Sequence, residues 1–163
     1  MQITKLRIRN FKSISDMRLA GIEQVLILVG KNNTGKSAVL EAVQALKGNY
    51  QIGLSDFRED FPNIEMEVCL SVTEEDLHYL HENAAVSSFR NYEKWLEDFQ
   101  ARFPSYKDER ITFTFIANRD GRIRYDDGVN KHNPLISQII PEVYELDFER
   151  SLLEFQNNLF FLK

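Results

Sequence analysis

One cysteine, Cys69, stands in the 163 residues, which excludes an internal disulfide and a cysteine-based zinc site. Long apolar runs are missing too. The longest unbroken aliphatic stretch is residues 25–29, whereas a membrane-spanning helix needs about 20 apolar residues. The opening Met1-Gln2-Ile3-Thr4-Lys5 alternates at once and has no apolar signal segment. A cytoplasmic location and no membrane partner are therefore expected. No internal repeat, low-complexity segment or flexible linker breaks the chain. With 43% hydrophobic and 28% charged residues, it has the composition of one globular domain, with room for a small insertion.

The net charge of −5 hides an asymmetry. Residues 1–50 carry eight Lys and Arg against three Asp and Glu, a local charge of +5. Residues 51–163 carry twelve against twenty-two, a local charge of −10. A basic N-terminal third on an acidic chain points to a local anion site.

Periodicity predicts the elements. Residues 3–11 alternate Leu6 and Ile8 with Lys5, Arg7 and Arg9, as in a half-buried strand. Residues 12–16 turn the chain, and residues 17–19 form a short return strand. Residues 25–29 are continuously aliphatic, as in a strand covered on both faces. Residues 37–47 show helical spacing, with Gly48 placed to end the helix. Residues 49–62 read as a loop. Residues 64–72 alternate as a strand, after which Thr73 caps a helix with acids in its first turn. Residues 87–103 carry an aromatic helical stripe of Phe89, Tyr92, Leu96, Phe99 and Phe103, stopped by Pro104. Residues 111–116 and 122–125 pair across the turn Asn118-Arg119-Asp120-Gly121. A strand over 143–148 and a helix over 149–162 close the chain.

The chemistry lies in Gly30-Lys31-Asn32-Asn33-Thr34-Gly35-Lys36-Ser37, a match to GxxxxGK[ST] between a buried strand and an amphipathic helix. Such a loop turns successive backbone N–H groups inward at a helix N-terminus and makes a nest for an anion. Gly30 and Gly35 permit backbone angles that a Cβ resists, and Asn33 tolerates the left-handed region. Asn32 and Thr34 complete the loop. Lys36 would reach the β- and γ-phosphates, and the Ser37 hydroxyl would coordinate Mg²⁺.

Leu6-Arg7-Ile8-Arg9-Asn10-Phe11-Lys12-Ser13, followed by that loop, resembles the start of ABC-type ATPases of the RecF/SMC kind. The double Asn32-Asn33 and the Ser55-Asp56-Phe57 run are most similar to the OLD (overcoming lysogenization defect) family. The specific part of the resemblance covers residues 3–47. It implies an α/β P-loop NTPase fold: the N-terminal lobe of an ABC-type ATPase, with a mixed sheet and a helical insertion at about 74–104. It also implies ATP and Mg²⁺ as cofactors, with Lys12 and Ser13 near the base and ribose. In the complete protein it implies a C-terminal lobe or second ATPase subunit as partner, and a DNA-directed activity such as repair or phage defence.

Other parts of such a site are missing from the sequence. No run of four apolar residues ends in Asp-Glu; residues 68–74 come nearest, but they alternate. No Gly-Gly pair exists for an LSGGQ-like signature. Gln138 is a candidate for the glutamine loop by position only. The chain is therefore expected to be an N-terminal lobe that lacks its C-terminal lobe and hydrolyses ATP barely, if at all, by itself. If it does turn over, Glu65, Glu67, Glu74 and Asp147 are the carboxylates to examine.

Several further features have a plain reading beside a functional one. Lys5, Arg7 and Arg9 form a solvated strand face or a DNA contact. His78 and His81 lie on a helix surface or, with Glu74 and Glu82, near a metal. The aromatic stripe with Trp95 is core or a partner face, and Asp126 and Asp127 are turn residues. A GTPase would use an NKxD base-reading motif, which Asn130-Lys131-His132-Asn133 approaches but ends in Asn. A kinase lid would use arginines such as Arg119, Arg122 and Arg124. A non-catalytic ATP-gated interaction module is a third class.

Overall fold

Strand β1 (Gln2–Phe11) turns back through Lys12 and Ser13 into β2 (Ile14–Ala20), with Phe11 opposite Ile14. This hairpin is longer on its second arm than the apolar pattern of residues 17–19 suggests, because backbone pairing continues through the exposed polar residues. The computed structural model describes residues 1–22 and 35–142. The expected strand over 25–29, the loop residues 30–34 and the closing strand and helix over 143–162 lie outside the described residues.

Strands β3 (Asn63–Ser71), β4 (Arg110–Asn118) and β5 (Ile123–Asp126) complete a sheet in the order β2-β1-β3-β4-β5. Every described pairing is antiparallel. The expected aliphatic strand that would make the sheet mixed is among the residues not described. Register follows the buried face. Leu6 faces Val68 and Ile8 faces Met66 across β1–β3, while Met66 faces Phe115 across β3–β4. A one-residue slip would turn these apolar side chains outward.

The other face of the sheet carries the charged residues of the same strands. Arg7 donates to both oxygens of Asp16, at 2.9 and 2.7 Å, and reaches Glu67 at 3.3 Å. Arg9 meets Glu65 and Glu67, each at 2.7 Å. These arginines are part-exposed members of a cross-strand network of ion pairs. Exposed pairs of this kind contribute about 0–1 kcal/mol each, so their main effect is on pairing register.

Helix α1 (Lys36–Lys47) packs Ala38, Val39, Ala42, Ala45 and Leu46 onto the apolar face. Gly48, at φ 88°, closes it in the left-handed conformation, and the amides of Gly48 and Asn49 return to the carbonyls of Ala45 and Gln44. Helix α2 (Glu74–Glu82) begins in a capping box between Thr73 and Asp76, and Asp76 also takes an ion pair from the N-terminal amine.

Helix α3 (Tyr92–Arg102) starts later than the expected residue 87. Asn91 accepts from the Lys94 amide at 2.9 Å and caps the helix there. Upstream, the carbonyls of Phe89 and Arg90 lie 3.2 and 3.1 Å from His81 Nε2, which holds the lead-in extended. Phe89 consequently leaves the stripe and is 50% exposed. The buried row is instead Trp95, Phe99 and Phe103, with successive ring centroids 5.1 and 4.7 Å apart. Trp95 is thus a core residue, and its indole N–H donates to the Ala85 carbonyl. A short α4 (Ile136–Ile139) adds Ile136 and Ile139 to the same core.

Candidate nucleotide-binding site

Of the expected phosphate loop, the described residues hold its last glycine and the start of the helix. Gly35 stands at the N-cap of α1 with φ 91° and ψ 7°, a left-handed conformation that side-chain-bearing residues rarely adopt. A Cβ added at Gly35 would sit 3.4 Å from Ser13 Oγ and 3.5 Å from Ile14 Cγ1, ordinary contact distances. The backbone angle, rather than lack of space, is what calls for glycine here.

The first turn of α1 has no side-chain cap and no acidic residue. A helix start with glycine at its N-cap, and with Lys36 and Ser37 in its first turn, suits a bound anion. Gly30, Asn32, Asn33 and Thr34 lie outside the described residues.

Ser13, distant in sequence, stands beside Gly35 in space, and Lys12 stands beside α1. Lys12 adopts φ 51° and Asn10 φ 59°, both left-handed, on either side of Phe11. The bend is held from the segment after α1. The Lys12 amide donates to the Asp56 carbonyl at 2.7 Å, and Phe11 bridges to Phe57. The Lys12 ammonium lies 2.6 Å from Glu41 Oε2 on α1, 3.6 Å from Asp56 Oδ1 and 4.7 Å from the centroid of the Tyr50 ring. Partial burial works against its charge, but Glu41 and Tyr50 outweigh that and hold the pKa above the ordinary lysine value.

A second arginine layer backs the bend. Arg119, at the β4–β5 turn, donates to the carbonyls of Arg58, Glu59 and Phe61 at 2.6, 3.0 and 3.1 Å. Its guanidinium also lies 5.5 Å from the centroid of the Phe57 ring. Arg58 reaches the Ser13 carbonyl at 3.5 Å. Arg119 thus anchors a loop rather than standing in an arginine-rich lid. Sequence reasoning missed Glu41, Tyr50 and Arg58, since nothing in their spacing ties them to Lys12 and Ser13.

Other expected site residues are placed elsewhere. Glu65 and Glu67 are paired with Arg9 and Arg7 on the charged sheet face. Glu74 is in the first turn of α2, and Asp147 lies outside the described residues. His78 stacks on Tyr92 with centroids 4.2 Å apart. Among the described residues, no group of three or more His, Cys, Asp or Glu could hold a metal ion. Gln138 Oε1 accepts from the Val86 amide at 3.2 Å. A cavity of about 710 Å³ opens on the charged face of the sheet, where Lys5, Arg7, Arg9, Glu65 and Glu67 line it. Neither Ser13 nor Gly35 lines it.

The AAA ATPase domain family matches residues 1–156. The chain belongs to that family. Among curated proteins, the AAA ATPase domain described here is 32% identical over 77 residues to an ATP/GTP phosphatase of Helicobacter pylori, covering 47% of this chain and 21% of that protein. It is 42% identical over 41 residues to an uncharacterized protein of Methanocaldococcus jannaschii, covering 25% of this chain and 19% of that one. The matches span about a fifth of the length of these relatives.

Among solved structures, the fold is similar to an SMC ATPase studied for ATP-driven dimerization and DNA-stimulated activation. The TM-score is 0.57, at 15% identity over 96% of both chains. It is similar also to the Smc head domain with a coiled coil and joint from Pyrococcus yayanosii. There the TM-score is 0.55, at 18% identity over 94% of this chain and 29% of that one. The fold is therefore that of an AAA ATPase domain, similar to the SMC ATPase heads. No helix among the described residues is long and apolar enough to cross a membrane.

Proposed function

We propose that this AAA ATPase domain binds ATP with Mg²⁺ in the loop of residues 30–37 and uses the Lys12–Ser13 bend on the base and ribose side. The observation that carries the reading is the left-handed Gly35 at the N-cap of α1, with Ser13 beside it. Backbone N–H groups of the loop and of the first helical turn cradle the phosphates, with Gly30, Asn32, Asn33, Thr34 and Gly35 shaping the nest. Lys36 places its charge on the β- and γ-phosphates, and the Ser37 hydroxyl is the protein's ligand to the metal. Bound Mg²⁺ neutralises charge on the phosphate oxygens.

In the complete protein, ATP drives association with a C-terminal lobe or second ATPase subunit and controls a DNA-directed activity. The fold shared with SMC ATPase heads supports this reading, as does the ATP/GTP phosphatase among the relatives. The Asn32-Asn33 pair and the Ser55-Asp56-Phe57 run favour the OLD branch, with phage defence or repair as the setting. Calorimetric titration of the 163-residue chain with Mg-ATP tests the binding step. Micromolar to submillimolar affinity, lost in Lys36→Ala, is expected. Equal affinity in parent and variant would defeat the assignment.

A further inference from the structure

We propose that Asp56 is a positioning residue of the nucleotide site. It holds the Lys12–Ser13 bend against α1, so that the bend meets the base and ribose of a nucleotide whose phosphates lie on the loop. The proposal rests on the nucleotide reading above and adds a residue that does not touch the ligand.

Asp56 ends a three-residue 3₁₀ turn, Leu54–Asp56, and is buried. A local role would be the bond its Oδ2 accepts from the Gly53 amide at 2.8 Å. The carboxylate does far more than that. Tyr50 Oη lies 3.1 Å from each of its oxygens, and the Lys12 ammonium is 3.6 Å from Oδ1. Its backbone carbonyl accepts from the Lys12 amide at 2.7 Å. Side chain and main chain of one residue thus grip both ends of Lys12.

Lys12 needs such a grip. A lysine at φ 51° is in a region that side chains disfavour, and it persists only where its surroundings enforce it. The same ammonium bonds Glu41 at 2.6 Å, which ties the bend to the helix that begins at Lys36. The next residue, Ser13, is the one that stands beside Gly35, where an added Cβ would lie 3.4 Å from its Oγ. Asp56, Tyr50, Lys12 and Glu41 therefore form one connected unit between the two sides of the site. With two carboxylates and a ring around it, the Lys12 ammonium is committed to that unit and acts through the placement of Ser13.

The test compares Mg-ATP with Mg-tripolyphosphate, which engages the phosphate cradle but has no base or ribose. Asp56→Asn keeps the size and the acceptor toward Gly53 but removes the charge facing Lys12. We expect Asp56→Asn to weaken ATP about tenfold and to leave tripolyphosphate within about twofold, because only the pre-organised bend is lost. Tyr50→Phe, which removes one anchor of the carboxylate, should weaken ATP about threefold with the same selectivity. Unchanged ATP affinity in both variants would overturn the proposal. So would an equal loss for ATP and tripolyphosphate, the mark of general loosening. If Asp56→Asn fails to fold by circular dichroism, Tyr50→Phe alone decides by the same criteria. A parent chain that binds neither ligand, or a Lys36→Ala variant that binds both as the parent does, would overturn the phosphate-loop reading itself, and this proposal with it.

Discussion

Asn133 Nδ2 donates to Asp127 Oδ2 at 2.9 Å and to the Arg102 carbonyl at 2.7 Å, inside the protein. Asn130 joins the same carboxylate through its amide at 2.7 Å and its side chain at 3.0 Å. The run Asn130-Lys131-His132-Asn133, which approaches a guanine-reading motif in sequence, is thus built into a turn around Asp127. Its two asparagine side chains are committed to that carboxylate. Adenine nucleotide should accordingly bind in preference to guanine. Competition of GTP against labelled ATP is the measurement, and a clear GTP preference would move the chain to the GTPase class.

The same turn sets an acid response. Burial works against the Asp127 carboxylate, but hydrogen bonds from Asn130, Asn133 and Val129 outweigh it and hold its pKa below the usual aspartate value. A depressed folded-state pKa gives stability that is present above the unfolded aspartate pKa and is lost as pH falls through the folded value. Thermal unfolding followed downward from pH 5 should show the parent losing stability. Asp127→Ala should start about 1–3 kcal/mol lower at neutral pH and lose less on acidification. Parallel curves for the two would contradict this role.

Lys36→Ala should abolish ATP binding while leaving the fold intact. The side chain extends from the first turn of α1, and its removal opens no core cavity, so the stability change should stay within about 1 kcal/mol. Circular dichroism alongside calorimetry separates loss of ligand from loss of structure.

Gly35→Ala is expected to act differently. The added methyl meets ordinary contacts, but φ 91° is strained for alanine. The variant should lose about 1–2 kcal/mol of stability or shift the loop, and bind ATP more weakly. A denaturant melt and an ATP titration on the same sample test both effects. A variant as stable and as tight as the parent would show that the left-handed angle is not required.

Turnover by the 163-residue chain should be close to background. On the proposed reading the cradle, Lys36 and one metal ligand would account for binding, whereas phosphoryl transfer needs further charge stabilisation and a group to orient water. Each absent electrostatic element costs about 10²–10³ in rate. Two of the carboxylates worth examining, Glu65 and Glu67, are occupied by Arg9 and Arg7. Steady-state phosphate release is the assay. A rate of about one per second, abolished by Lys36→Ala, would mean that a catalytic carboxylate acts within this chain.

The sequence by itself determined the match of residues 30–37 to GxxxxGK[ST], a pattern legible locally because a phosphate nest would be made by consecutive backbone groups and needs only local residue types. Period-two alternation determined β1 and β3, since each has one apolar face to bury. The Thr73 cap of α2 and Gly48 after α1 were legible for the same reason: each satisfies hydrogen bonds within a few residues. The start of α3 was not, because His81 and Asn91 together decide where the chain leaves its extended path, and His81 belongs to another helix. Only the tertiary structure decided that Arg7 and Arg9 are paired with Glu65 and Glu67, that Trp95 is core, and that Asn133 closes a turn. It alone brought Ser13 to Gly35 and wrapped Lys12 in Asp56, Tyr50 and Glu41. Those partners are far apart in sequence and carry no shared period. Their meeting is set by strand register and helix packing, which depend on the whole buried face at once.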